Sequence, residues 1–304
     1  MRFVLALAAA ISFFAPVAQA QTPQTPVSGP CADLAKALGF IEATKKTRFQ
    51  DGDGACSITQ FYVSFGSYIR YRIDEAIVRS PELFTGDVDL KNAVGGFILP
   101  TELDISVTGF VLAPETGSAL NDYIIETQSE PLDLHLAYRW DRDTGALNLA
   151  DLGVRTRDGS AITMAAMASD VALTQEHLDK LEALPGGIEQ LIFSVEDASF
   201  FASLVSPALL GMLPDDGDPR ALVASYQKVA VTLIDSLPGD SVSNNSKAAL
   251  RDFVESFPKP TGDYTVQLRA DPPIPFVSLQ PSDISELLGL LATTELTVTH
   301  TPEE

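Results

Sequence analysis

Three patterns along the chain predict an α+β protein, with an antiparallel, meander-type β-sheet and amphipathic helices packed on one face. From Cys56 to Leu173 apolar and polar side chains alternate with a period of two. From Thr174 to Phe257 the spacing becomes helical, and from Tyr264 to His300 the alternation returns. Strands, then helices, then strands argue against a doubly wound parallel sheet, which alternates the two element types along the chain.

The N-terminus reads as an export signal. Arg2, the apolar run Phe3 to Pro16 and the small residues of Ala18-Gln19-Ala20 have the order of a cleavable secretory signal peptide over residues 1–20, cut after Ala20. The run is shorter than the roughly 20 apolar residues that a spanning helix needs, and no later stretch reaches that length. Cys31 lies beyond the apolar core and follows Pro30, so lipid attachment there is not expected. The expected location is periplasmic or secreted, with no transmembrane span after cleavage. Gln21 to Gly29 is a Pro- and Thr-rich spacer with nothing to bury. Residues 30–304 then form a single α+β domain, and LPDDGDP at 213–219 is the best candidate for an internal boundary.

Pro30 to Ile41 follows as a helix, with Cys31, Leu34, Leu38 and Ile41 on one face. Cys31 and Cys56 are the chain's two cysteines, and an even count without metal-ligand spacing in an exported chain reads as a disulfide. It would close a loop of about 26 residues, contribute about 3 kcal/mol, and staple the helix to the first strand. Asp51-Gly52-Asp53-Gly54 opens like a calcium loop, but Ala55, Cys56 and Tyr62 stand where that loop needs an acid or amide, Gly and Glu. It is expected to be a turn between the first helix and the first strand.

In the strand region Ile69, Tyr71 and Ile73 alternate with Arg70, Arg72 and Asp74, and Leu103, Ile105 and Val107 with Asp104, Ser106 and Thr108. PLDLHLAYRW, from Pro131 to Trp140, puts Leu132, Leu134, Leu136, Tyr138 and Trp140 on one side. The turn DRDTG, the strand ALNLADLGVRT, a turn at Asp158-Gly159 and AITMAAMASDVAL complete a three-strand meander. Such two-faced strands belong to a sheet covered on one side. Helices are expected over Thr174–Leu184, Ser199–Leu213, Asp218–Leu237 and Ser246–Phe257, with core stripes Leu222/Tyr226/Val229/Leu233 and Leu250/Phe253/Val254/Phe257. Strands at Tyr264–Ala270, Phe276–Leu279 and Glu295–His300, with a short helix over Ser282–Leu291, end the chain.

Chemistry is sparse. The full chain carries a net charge of −21, and after loss of Arg2 19 bases against 41 acids leave −22. A surface this acidic repels phosphate backbones, which argues against nucleic acid as a partner. His135, His177 and His300 are scattered, with neither His-Glu-x-x-His nor Cys-x-x-Cys spacing, so no metal and no cofactor is implied. There is no Gly-x-Ser-x-Gly elbow. Ser-x-x-Lys occurs at Ser225/Lys228 and Ser256/Lys259 without the Ser-Asp-Asn and Lys-Thr-Gly motifs that accompany it in penicillin-binding enzymes. Asp215, Asp216 and Asp218 cluster in a Gly- and Pro-containing loop, where charges are usually simply solvated.

SFFASLVSPALLGML, from Ser199 to Leu213, is apolar nearly all round, with Pro207 inside it. A helix apolar on every side is buried in the core, a partner or lipid. Phe200, Phe201, Leu204, Val205 and Leu209 are therefore the candidate hydrophobic binding segment. The meander LDLHLAYRWDRDTGALNLADLGVRTRDG and the late PPIPFVSL resemble uncharacterised exported proteobacterial envelope proteins, distantly similar to AsmA-like proteins with extended amphipathic sheets. That resemblance implies an envelope protein that handles lipid or assists assembly. The leading expectation is a non-catalytic periplasmic protein binding a hydrophobic ligand or an envelope partner, with a lipid or an envelope protein as partner. The alternative is a hydrolase with an unrecognised carboxylate or Ser site.

Overall fold

The computed structural model describes residues 29–65, 69–84, 99–128, 130–174, 184–213, 218–279 and 293–303, together with residues 286, 289 and 290. The expected signal peptide, the spacer up to Ser28, and the expected helix over Thr174–Leu184 save its two ends lie outside these residues, as does most of Ser282–Leu291.

Among the described residues ten strands form one antiparallel sheet in strict chain order, β1 to β10. They are β1 (Ile41–Gly52), β2 (Ala55–Phe65), β3 (Ile69–Arg79), β4 (Glu102–Leu112), β5 (Leu132–Trp140), β6 (Leu147–Thr156), β7 (Ala161–Ser169), β8 (Gly187–Glu196), β9 (Asp263–Pro275) and β10 (Thr294–Thr301). The helices are α1 (Pro30–Leu38), α2 (Pro81–Phe84), α3 (Ala119–Gln128), α4 (Ala198–Leu204), α5 (Ser206–Leu210), α6 (Pro219–Ser236) and α7 (Asn244–Ser256). The α+β class and the meander hold, and the meander extends from the expected three strands to ten. No described helix is long and apolar enough to cross a membrane.

Local chemistry sets the turns. At the β5–β6 hairpin the Asp141 carboxylate accepts the N–H groups of Asp143 and Thr144, at 2.9 and 3.1 Å, in an Asx turn. These bonds hold Asp141 below its usual pKa, the Thr144 N–H contributing most. Gly145 follows with φ 70°, and a Cβ there would press on the backbone of Asp170 and Val171. Between β8 and β9 the chain leaves the sheet for the whole α4–α7 excursion and returns to the same place. Ala198 N–H donates to Gly262 O at 2.8 Å, and Asp197 N–H to the Asp263 carboxylate at 2.9 Å, closing its base. The candidate boundary at 213–219 falls inside this excursion.

The first helix ends earlier than expected. Gly39 turns left-handed with φ 72° and its N–H returns to Ala35 O, so Ile41 starts β1 instead of closing α1. Asp51-Gly52-Asp53-Gly54 is accordingly the β1–β2 hairpin, not a helix-to-strand turn, with Gly54 at φ 63°. Asp51 does a second job: its carboxylate accepts the Cys31 N–H at 2.8 Å and so caps the N-terminus of α1. Cys31 and Cys56 form the expected disulfide, Cα to Cα 5.1 Å. It ties α1 to β2, the second strand. Phe276–Leu279, expected to be a strand, is a 3₁₀ turn after a β9 that runs on to Pro275.

Both edges of the sheet are blocked. On β1 the chain bulges between Ala43 and Arg48, with the Thr47 hydroxyl donating to Gln60 O at 2.7 Å, and Lys45, Lys46 and Arg48 are exposed there. On β10, Leu296 N–H donates to Ser241 O and Val298 N–H to the Ser246 hydroxyl, at 2.9 and 3.1 Å. Lysines with a bulge at one edge and a covering loop at the other are standard devices against edge-to-edge pairing.

Candidate ligand-binding face

Strand register sorts the side chains of the central sheet into two surfaces. On one of them Val107, Leu134, Val154, Ile162, Val195 and Tyr264 form a row across six strands. Ile105, Leu136, Leu152, Met164, Phe193 and Val266 form the next, and Leu103, Tyr138, Leu149, Ala166, Leu191 and Leu268 the third. Apart from the tyrosine hydroxyls all three rows are hydrocarbon or thioether. At about 4.8 Å per strand they run for about 24 Å from β4 to β9.

Three separate clusters cover parts of this face. Under α1 it is sealed: Cys31, Leu34, Ile58, Phe61, Val63 and Ile73 are buried together. Leu103, Tyr138 and Trp140 pack with Leu83 and Leu173 at one end of β4 and β5, where Tyr138 OH donates to Pro100 O and Trp140 Nε1–H to Val171 O. Burial there pushes the Tyr138 phenol pKa up, with the nearby Glu82 charge adding to it. At the other end of β8 and β9, Val195 and Tyr264 pack with Ala198, Phe201, Val205 and Phe253. Between these clusters Leu134, Leu152, Val154, Met164, Leu191 and Leu268 join none of the three and stay half-buried.

The apolar segment divides between these environments. Pro207 sits in the first turn of α5, so the expected single helix breaks at Val205 into α4 and α5. Phe200 and Phe201 are buried, and Phe201 meets the Phe253 ring edge-on with centroids 5.3 Å apart. Val205 is half-buried, whereas Leu204 and Leu209 remain 44 % and 39 % exposed. The α6 stripe is not the core face its spacing predicts. Tyr226 and Val229 are 55 % and 58 % exposed, Ile234 is buried, and the helix is tied to α7 by Gln227, whose amide donates to the carbonyls of Val254, Glu255 and Phe257. In exchange the Lys247 ammonium of α7 donates to the carbonyls of Asp235 and Leu237 at the end of α6.

The opposite surface of the sheet is polar. His135 lies between two carboxylates, Asp151 at 2.6 Å from Nδ1 and Asp104 at 3.4 Å from Nε2. Arg155 and Arg79 pair with those carboxylates in turn, at 2.7 and 3.4 Å. Ser106 is the cross-strand neighbour of His135, but both ring nitrogens face carboxylates, so none is turned to the serine. On the apolar side, one strand beyond Tyr264, His300 stacks on that ring with centroids 4.3 Å apart and shares the Asp252 carboxylate with the Tyr264 hydroxyl. His177, Asp215 and Asp216 lie outside the described residues, and Asp218 caps α6 by accepting the Arg220 N–H. The Ser256 hydroxyl of one Ser-x-x-Lys pair donates to Asp252 O. No group of three metal-ligating side chains occurs among the described residues.

Two features of this face escaped sequence reasoning. β8 was legible in principle, but its alternation slips at Glu189, where a bulge separates Ile188 from Leu191, Phe193 and Val195. The half-covered state of the apolar face has no sequence signal, because it depends on where distant helices land. No family model, curated protein or solved structure matches this chain.

Proposed function

We propose that this is a non-catalytic binding protein of the cell envelope that holds a hydrophobic ligand on the apolar face of its sheet. The observation that carries the reading is the three-row apolar surface, uncharged across six strands and only half-buried between its covering clusters. Soluble proteins rarely leave a contiguous apolar patch of this kind without using it. The ligand class that fits is a long-chain acyl amphiphile: the rows supply hydrocarbon contact over about 24 Å and no charge for a headgroup, which would stay at the rim. In this reading α1, α4 and α7 are the amphipathic helices packed on the apolar face. The disulfide suits an oxidising compartment such as the periplasm, and lipid handling agrees with the AsmA-like resemblance of the meander.

Two experiments test this. Native mass spectrometry of the protein from its own host should find co-purifying lipid. Wild-type protein should also take up a fluorescent fatty acid, while Leu152→Asp should lose uptake with only a modest fall in melting temperature, its site being half-solvated. Wild-type protein that binds no apolar probe would refute the proposal and leave the hydrolase reading to be pursued.

A further inference from the structure

We propose that α3 is a lid on the ligand face and that Leu120, Tyr123 and Ile124 complete the site when it closes. This rests on reading that face as a ligand site. α3 connects the adjoining ends of β4 and β5. Helical spacing puts Leu120, Tyr123 and Ile124 on one side and Asp122 and Glu126 on the other. The three apolar side chains are 67, 64 and 40 % exposed. The apolar side of the sheet at this end is only partly covered. Leu112, at the end of β4, is 43 % exposed, and Leu132 and Leu134, at the start of β5, are half-buried. An exposed apolar stripe and a partly covered apolar sheet end therefore lie a few residues apart in one hairpin connection.

Charge keeps them apart. Glu126 pairs with Arg72 at 2.7 Å. Arg72 registers with Val111, while its neighbour Tyr71, stacked on Phe110 at 4.4 Å, belongs to the apolar side, so the pair draws α3 toward the polar side of the sheet. Glu115, ahead of the helix, is held to Arg70 in the same way. Both glutamates are exposed, while Arg70 and Arg72 are half-buried and also pair with Glu42 and Asp74. Release of α3 therefore leaves neither arginine without a carboxylate, and salt weakens the outer pairs. Gly117, with φ 74° and open space around it, gives the connection a turn that bulkier residues rarely adopt. Val111 is already buried on the polar side, and an acyl chain lying across the β5 end of the apolar rows would offer the exposed stripe a further surface to bury. Burial of three apolar side chains outweighs the two outer pairs.

The test places a solvatochromic dye on Tyr123→Cys, which labels selectively because Cys31 and Cys56 are bridged. Addition of oleate should shift the emission to the blue. Glu126→Gln should give part of that shift without oleate. Ile124→Asp should melt like wild type yet release oleate about tenfold faster, the factor expected from losing the burial of one aliphatic side chain. Oleate retained, as seen by native mass spectrometry, with an unmoved dye and a wild-type release rate in Ile124→Asp, would overturn the lid and leave the ligand face standing. No oleate retained by any form would overturn both.

Discussion

The same strand pattern has two fates in this molecule. Around β1 to β3 the inward residues are sealed under α1, and Ile58 and Phe61 are each 2 % exposed. On β5 to β8 the corresponding rows, Leu134, Leu152, Met164 and Leu191 among them, are equally apolar but only half-buried. Alternation alone does not distinguish a sealed core from a half-covered apolar surface; what differs is the cover above it. α1 is bonded covalently to the sheet through Cys31 and Cys56, whereas the cover over the centre comes from clusters at opposite ends of neighbouring strands. The first region is closed by a covalently attached helix, and the second is only half-covered.

The sharpest way to break this contrast is to truncate one side chain in each region. Phe61→Ala should cost about 3–5 kcal/mol, as for other fully buried phenylalanines. Met164→Ala, on the half-covered rows, should cost about 1 kcal/mol, because solvent and neighbouring side chains already fill part of its surroundings. Urea unfolding of the two variants compares them directly. Equal losses would mean that the central rows are as closed as the α1 end and would remove the ground for a ligand face.

The staple comes next. Cys56→Ser should lower stability by about 2–4 kcal/mol without abolishing the fold, since the sheet beyond β3 keeps its own clusters. Thiol titration of the denatured, unreduced wild-type protein should find no free cysteine. Loss of all cooperative unfolding in Cys56→Ser would show that the sealed region nucleates the whole sheet.

Sequence legibility follows the same division. The meander from Leu132 to Ala168 was readable because β5 alternates cleanly and the turns carry Asp and Gly in the right places, although a bulge between Leu149 and Leu152 shifts the phase within β6. β1 was not, because the bulge between Ala43 and Arg48 shifts the phase of alternation in its middle, and its first residues continue the apolar spacing of α1. The disulfide followed from cysteine arithmetic, but the capping role of Asp51 needed the hairpin that brings it 20 residues back to Cys31. For the site, the apolar character of Phe200, Phe201 and Leu204 was evident from composition, whereas their division into buried and exposed depends on the break at Pro207 and on the partner ring of Phe253.

A smaller effect probes the base of the helical excursion. Asp197 accepts the Ser199 N–H at 3.0 Å and its hydroxyl at 2.6 Å, and the Ser160 hydroxyl at 2.9 Å. These bonds, that of the Ser199 hydroxyl foremost, hold its carboxyl below the usual aspartate range. Because the folded-state pKa is depressed, the stabilisation is fully present above the unfolded value near pH 4 and is lost as pH falls through the lower folded value. Asp197→Ala should cost about 1–2 kcal/mol at neutral pH as a lost helix cap. It should also flatten the dependence of stability on pH between about 5 and 3. An unchanged acid profile would exclude Asp197 as a contributor.

The smallest expected effect concerns Leu204, at the end of α4. Its neighbour Phe201 is 8 % exposed and packed on Val195 and Tyr264, so Phe201→Asp would bury an unpaired charge and should unfold the protein. Leu204, one helical turn on, is 44 % exposed. A carboxylate there keeps its water, and Leu204→Asp should change the unfolding free energy by no more than about 0.5 kcal/mol. The two variants differ by three positions in one short helix yet should fall at opposite ends of the stability scale. If Leu204→Asp also unfolds the protein, α4 is buried on both sides and the excursion seals its part of the sheet as tightly as α1 does. If it melts like wild type and still takes up fatty acid, the exposed side of α4 is not part of the ligand face, and binding belongs to the central rows. If it melts like wild type but loses uptake, the site extends from the sheet onto α4, and Leu204 joins Leu152 in contact with the bound chain.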